Sequence, residues 1–163
     1  MLYLIRGVPG SGKSSYARAL GCLVVESDQM CLQDGIYKYD HQRIARAHAW
    51  CLRLAQSAIC ENMDVAVANP FPYVKYMAPY VGFARQHGCG VTIVECTRKY
   101  GNPHRIPSEV IAKMRATWEP LPEAWVAEMR VITVGGWNAA EERTRIGAES
   151  SDLWFTVAMG QAS

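Results

Sequence analysis

The sequence predicts a three-layer α/β domain with a mostly parallel sheet of about five strands. Two observations carry that prediction. Short apolar runs alternate with helical patterns along the chain, the arrangement that builds a parallel sheet covered on both faces. The first run, Leu2-Tyr3-Leu4-Ile5, leads into Gly7-Val8-Pro9-Gly10-Ser11-Gly12-Lys13-Ser14, which fills every fixed position of the pattern Gly-x-x-x-x-Gly-Lys-[Ser/Thr] between a strand and a helix.

Leu2 to Ile5 is continuously apolar, as strands buried on both faces are. The helix it feeds begins at about Lys13 and runs to Leu20, and Gly21 ends it. Cys22 to Glu26 reads as the second strand, with Ser27 and Asp28 at its mouth; in a continued extended form Glu26 and Asp28 face the same way. Gln29 to Tyr39 is irregular, with Asp34-Gly35 as a turn. Asp40 reads as the N-cap of a long helix reaching about Asn62, because Ile44, Ala47, Cys51, Leu54 and Ala58 recur on one face. Val65 to Ala68 is the third strand, followed by the rigid loop Asn69-Pro70-Phe71-Pro72. The next helix reaches about His87, and its start depends on Pro79, which the first turn tolerates and the interior does not. Val91 to Cys96 is the fourth strand, and the connector from Thr97 to Pro107 is dense in Arg98, Lys99, His104 and Arg105. Ser108 is expected to cap a helix through Trp118 with Val110, Ile111, Met114 and Trp118 turned inward, stopped by Glu119-Pro120. Arg130 to Val134 is the fifth strand. Residues 1–134 therefore read as one domain with a candidate lid at about 97–107, and 135–163 as a tail expected to pack on the same domain. In that tail Leu153, Trp154 and Phe155 either cover a core edge or form a partner surface.

The 163 residues, 50% of them hydrophobic, suffice for a single domain with a real core. A formal net charge of +2 lacks the strong basic signature of a protein that grips a long duplex by its phosphates. Nucleic acid is allowed by this number, not indicated. The cysteines form no Cys-x-x-Cys pair and the histidines complete no zinc spacing with them, so reduced thiols in a cytoplasmic protein are expected. No apolar run approaches the roughly 18 residues of a membrane span, and Arg6 and Lys13 interrupt the start where a signal peptide needs its apolar core. No membrane partner is expected.

The glycine-rich loop has a specific chemistry. Its backbone N–H groups turn inward around a polyphosphate, Lys13 reaches the terminal phosphates, and the Ser14 hydroxyl can hold Mg²⁺. The helix starting near Lys13 points its positive end at the same anion. Gly7, Val8, Pro9, Gly10, Ser11, Gly12, Lys13, Ser14 and Ser15 are accordingly the candidate nucleotide contacts. In an open parallel sheet ligands collect above the carboxyl ends of the strands, where Lys13, Asp28, Asn69 and the basic connector converge in sequence order. Phosphoryl transfer needs cations on the moving group and a carboxylate that orients or deprotonates the accepting hydroxyl. Asp28 is the foremost candidate for the base; a turn and an N-cap account for Asp34 and Asp40, and Glu26 lies inside the strand. Arg98 and Arg105 are equal candidates for a lid cation, and each is equally readable as a solvated loop charge. The helix stripe Arg43, Arg46, Trp50 and Arg53 either tracks a single strand and stacks a base or is a solvated face with one partly covered Trp. The third strand ends in Asn69 and not in an acid, which lowers a GTPase or motor ATPase reading.

The phosphate loop, then Ser27-Asp28, Asp34-Gly35-x-Tyr37, Ala47-His48, Pro79-Tyr80, and Gly101-Asn102-Pro103-His104 through Ile111, Met114 and Trp118-Glu119 together carry a resemblance over about residues 1–120. In that order they resemble the P-loop kinases typified by phage polynucleotide 5′-kinase and the NEDD4-binding-protein-like kinases. The resemblance implies ATP and Mg²⁺, with a nucleic-acid hydroxyl as acceptor. It places Lys13 and Ser14 on the phosphates and the metal, Asp28 on the general base, and a lid arginine within Arg98 to Arg105. Two departures stand out: Ala68-Asn69-Pro70-Phe71 replaces the usual Asp-(Asn)-Thr-Asn, and Cys31 stands where the polynucleotide kinases carry a basic residue. Both positions are associated with substrate handling. Phages also encode kinases resembling this family that phosphorylate the hydroxymethyl group of a modified pyrimidine within DNA. An apolar Pro70-Phe71 suits a pocket that accepts a base by stacking, unless Phe71 belongs to the core.

The expected function is thus an ATP-dependent kinase acting on a polynucleotide hydroxyl, either a 5′ end or a hydroxymethylated base, with DNA favoured over RNA. Asp28, Asn69, Phe71, Arg43 and Arg46 are its candidate acceptor-side residues, and a phage-encoded chain would work in the host cytoplasm. The alternatives are a kinase for a free small molecule such as a nucleoside, and a nucleotide-binding regulatory module with little turnover.

Overall fold

Strand β1 (Leu2–Arg6) is buried along its whole length, which suits the centre of a sheet. It leads through the glycine loop to α1 (Lys13–Ala19), then β2 (Leu23–Val25), α2 (Asp28–Cys31) and a small antiparallel pair, β3 (Leu32–Gln33) with β4 (Ile36–Tyr37). The long helix α3 (His41–Cys60) follows, then β5 (Val65–Ala68), a 3₁₀ turn at Val74–Tyr76, and α4 (Ala78–Gln86). The chain finishes with β6 (Val91–Cys96), α5 (Ser108–Ala116), α6 (Glu123–Glu128) and β7 (Arg130–Val134). This structure, a computed structural model, describes residues 1–33, 36–37, 41–98, 100 and 106–135, and of residues 30–33, 36–37 and 41–43 the backbone alone. The expectations for Asp34, Gly35, Asp40, Arg105, the rest of 101–105, the side chain of Arg43 and the tail from residue 136 fall outside the described residues.

The main sheet has the order β2-β5-β1-β6-β7, and every neighbouring pair is parallel. Period-two alternation sorts β1 between two cores. Leu2 and Leu4 join Val25, Val65, Val67 and Ile93 against Cys51, Ala55, Ala58 and Ile59 of α3 and Tyr80, Val81 and Ala84 of α4. Tyr3 and Ile5 join Ala66, Ala68 and Val94 against Tyr16 and Ala17 of α1. The result is the three-layer, mostly parallel, five-stranded α/β fold that the sequence predicts. Each fully buried Leu, Ile or Val contributes about 1.5–3 kcal/mol. Among the described residues no helix is long and apolar enough to cross a membrane.

Two local expectations are corrected and one element is added. The second strand stops at Val25, because the Gln29 N–H turns back to the Glu26 carbonyl (3.2 Å) and α2 begins at Asp28; Glu26 and Asp28 therefore share no extended face. Ser108 is the first helical residue of α5, not its cap: Pro107 occupies the cap position with no side-chain hydrogen bond, and the helix ends at Ala116. Helix α6 went unpredicted, since six residues are too few to establish a period. Leu121, Trp125 and Met129 around it pack on the α3/α4 core. Pro79 sits in the first turn of α4, where its missing N–H costs nothing.

Candidate active site

The loop leaving β1 is shaped by contacts that only glycine permits at two positions. A Cβ on Gly7 would stand 2.5 Å from the Cys96 carbonyl oxygen, so the loop backbone lies directly on the end of β6. Gly12 has φ +92° and a Cβ there would meet the Tyr100 ring at 2.8 Å. The Tyr100 N–H also donates to the Gly10 carbonyl (2.8 Å), which brings the start of the basic connector over the loop. On the other side the Gly7 N–H donates to the Pro70 carbonyl (3.2 Å). Within the loop the Lys13 ammonium donates to the Val8 carbonyl (3.0 Å). Burial pulls the Lys13 pKa below the ordinary lysine range, while Cys96, Asp28 and Glu26 act in the opposite direction.

These residues fit a polyphosphate. The Ser11 hydroxyl is buried with no hydrogen-bond partner among the described residues, and the Lys13 ammonium has only a loop carbonyl. Both are donors within the glycine-rich pattern that suits a phosphate. Ser14 stands in the first turn of α1, where its hydroxyl suits a hard cation held mainly by phosphate oxygens and water. Ser15 is exposed.

Opposite the loop, β5 lies between β1 and β2, so a residue just past its end can reach the exits of both. Asn69 does so. Its N–H donates to the Ile5 carbonyl (3.2 Å) and its Oδ1 accepts from the Ser27 N–H (2.9 Å). Asn69 is 0% exposed, so the expected direct substrate contact is corrected: it positions the Ser27-Asp28 turn, and its Nδ2 is buried without a partner among the described residues. Asp28, half-buried at the start of α2, is close enough to act electrostatically on both Lys13 and His48. Glu26 is buried and ion-paired with Arg18 at 3.8 Å.

Phe71 is also corrected. It is 1% exposed and packs edge-on to Tyr80 at 5.7 Å, so no face of its ring is open to a base. Its φ of +46° is unusual for a bulky residue and turns the chain sharply after Pro70. Arg46 is exposed and about 160° around α3 from His48 at 100° per residue, so the structure does not bring it to Asp28. Arg98 donates to the Tyr100 hydroxyl and its guanidinium lies 5.1 Å from that ring's centroid, which places it near the phosphate loop.

Sequence reasoning passed over Arg6, Tyr100 and Glu119 as site residues. Arg6 is 0% exposed at the end of β1, with Nη2 donating to the Glu119 carbonyl (3.0 Å), Nη1 3.2 Å from Glu95, and the guanidinium 4.2 Å over Trp118. Glu119 in turn accepts from the Val74 N–H (2.7 Å) through its carboxylate and donates its N–H to the Pro72 carbonyl (2.9 Å). The loop after β5 is thereby tied to the segment after α5. A charge closing an otherwise apolar buried strand was the available signal for Arg6. The Lys13 ammonium in the glycine loop and the Asp28 carboxylate after β2 thus both lie beyond the carboxyl ends of the parallel strands, the side of an open sheet where ligands collect.

A family model described as AAA domain matches residues 2–121. Among curated proteins the chain is 30% identical over 93 residues to human (Homo sapiens) NEDD4-binding protein 2, an alignment covering 53% of this chain and 5% of that protein. The chain therefore spans about one twentieth of that relative's length. Among solved structures, a sugar kinase from Janibacter sp. HTCC2649 superposes with a TM-score of 0.60 at 13% identity, covering 99% of this chain and 98% of that one. Kti12 from Chaetomium thermophilum, in complex with ADP-AlF3, superposes with a TM-score of 0.59 at 12% identity, covering 89% and 94%. At such identities the likeness is one of fold.

Proposed function

The chain belongs to the AAA domain family and has the P-loop kinase fold, and on that footing we propose that it is an ATP-dependent kinase of a polynucleotide hydroxyl. Either a 5′ end or a hydroxymethylated pyrimidine in DNA is the acceptor. The loop from Gly7 to Ser15 cradles the phosphates, with Lys13 on the group in transit and Ser14 toward Mg²⁺. Bound Mg²⁺ supplies neutralisation of the phosphate oxygens. Asp28 orients the accepting hydroxyl and takes its proton, Asn69 keeps the Asp28 turn in place, and Arg98 adds a cation beside the loop. The ADP-AlF3 complex of the structural relative Kti12 supports the nucleotide part of this reading. The observation that supports the transfer part is the hydrogen bond from the Ser27 N–H to Asn69 Oδ1 (2.9 Å), which ties the turn carrying Asp28 to the end of β5.

A second reading, a small-molecule kinase, is favoured by the likeness in fold to a sugar kinase. Labelled ATP offered with 5′-hydroxyl oligonucleotides, hydroxymethyluracil duplex, free nucleosides and sugars separates the two by which acceptor takes label. Asp28→Asn should lower kcat by about 100-fold or more and leave ATP affinity nearly unchanged, as for removal of a group used in the transition state. Equal losses in both would remove Asp28 as the base. ATP binding with no label on any acceptor would defeat both kinase readings.

A further inference from the structure

The 3₁₀ turn after β5 presents an aromatic cluster that neither the nucleotide cradle nor the core explains. Tyr76 and His48 of α3 lie parallel, 8° apart with centroids separated by 6.2 Å, and Tyr73 meets Tyr76 edge-on at 5.6 Å. The Lys75 ammonium stands 5.1 Å from the Tyr73 ring centroid and 5.3 Å from that of Tyr76. Tyr76 is 46% exposed and Lys75 is exposed, whereas the next residue, Met77, is 0% exposed and roots the turn in the core. A ring needed for packing alone would be covered as Phe71 and Tyr80 are.

We infer that His48, Tyr73, Tyr76 and Lys75 form a platform for one unpaired nucleobase and its adjoining phosphate, next to the hydroxyl presented to Asp28. The inference rests on the polynucleotide reading and names the part of the chain that holds that substrate. Three observations support it. The cluster is joined to the base candidate from two sides: α2, which Asp28 begins, packs on α3, which carries His48, and Asn69, which fixes the Asp28 turn, opens the loop that ends at Tyr76. It is rigid before any ligand arrives, since Glu119 ties Val74, the Glu119 N–H ties Pro72, and the Met77 N–H closes the turn on the Val74 carbonyl (2.9 Å). A preformed surface loses little freedom on binding. Its chemistry also suits a base with its backbone, because flat rings stack on any base and a lysine pairs with the phosphate beside it. Burial holds His48 below its ordinary pKa, so at neutral pH it faces Tyr76 as an uncharged ring. A paired base is already stacked within its duplex, and a net charge of +2 offers no duplex-wide grip, so a single-stranded or extruded base is the occupant.

The test uses a single-stranded oligonucleotide carrying 2-aminopurine at its first base, titrated without ATP, whose fluorescence is quenched on stacking. Wild type should bind and quench it. Tyr76→Ala should bind about 5- to 150-fold more weakly with the quenching lost, the range that one base-aromatic stack gives. Tyr76→Phe should restore both, and neither change should alter ATP affinity. Failure of the wild type to bind, or equal affinity and quenching in Tyr76→Ala, would overturn the platform. Labelling of oligonucleotides with an unchanged KM in Tyr76→Ala would sink the platform and leave the kinase reading standing. Tyr76-dependent binding and quenching without label transfer would sink the kinase reading and leave the platform.

Discussion

Replacing Arg6 with Ala should destabilise the protein by about 3–5 kcal/mol, the range for breaking one side of a buried charge network. The favourable contacts of the guanidinium are several: the Glu119 carbonyl at 3.0 Å, the Pro72 carbonyl at 3.5 Å, Glu95 at 3.2 Å and the Trp118 ring at 4.2 Å. A hydrogen bond involving a charge contributes about 1.5–3 kcal/mol, and a desolvated cation over Trp about 2 kcal/mol. Against them stands the several kcal/mol needed to strip the guanidinium of water, visible as a pKa that burial lowers and Glu95 and Glu119 pull back up. The net benefit of the intact network is therefore modest, and the large loss on truncation comes from what remains: a hole in the sheet end, two carbonyls and Glu95 facing it. Glu95 keeps 25% side-chain exposure and can take water, which sets the lower end of the range. Arg6→Met refills the volume and lies on Trp118, so it should recover half of the loss or more. Arg6→Lys keeps the charge without the planar fork and should fall between. Urea unfolding followed by tryptophan fluorescence, with the m-value unchanged, gives these numbers. The same variants should raise the acceptor KM more than the ATP Kd, because Glu119 and Pro72 anchor the turn that carries Tyr73 and Tyr76. A loss below about 1 kcal/mol for Arg6→Ala would refute the buried network as an anchor.

Two further outcomes follow from the site. Asn69→Ala leaves the buried Ser27 N–H unpaired, so stability should fall by about 1–3 kcal/mol and kcat should fall with ATP affinity kept, as single-turnover and nucleotide-binding measurements would report; an unchanged kcat would show that the Asp28 turn holds without it. Because burial lowers the Lys13 pKa, the nucleotide-free protein loses that cation at a lower pH than an ordinary lysine does, and bound phosphates favour the charged form. ATP affinity is therefore fully present below the lowered pKa and declines as pH rises through it; the curve should flatten in Lys13→Met, and parallel curves would rule Lys13 out as the titrating group.

Much of the fold was legible because a parallel strand buried on both faces is apolar at consecutive positions. Val65–Ala68, Val91–Cys96 and Arg130–Val134 are bounded in the structure as they read in the sequence. The glycine loop was legible for a related reason, since each of its residue types answers a local demand of backbone or phosphate. Local pattern failed where a residue's role depends on what lies across the sheet. For Phe71 the sequence leaves a stacking ring and a core ring open, and a left-handed backbone and Tyr80 place it in the core. For Arg46 the sequence leaves a binding stripe and a solvated face open, and α3 turns it to solvent, while His48 meets Tyr76, a pairing across 28 positions that no local spacing shows.

By itself, then, the chain's sequence determined the layers and the glycine loop between β1 and α1, both written in spacings of a few residues. The tertiary structure alone decided how the ends of the strands are tied to one another. Asn69 meets Ser27 across 42 positions, and Arg6 meets Glu119 across 113. Those pairings exist because β5 lies between β2 and β1, and β6 on the other side of β1, an order set by the packing of the whole sheet. Periodicity tells a strand which faces to bury; only the assembled neighbours tell a buried Asn or Arg which partner satisfies it.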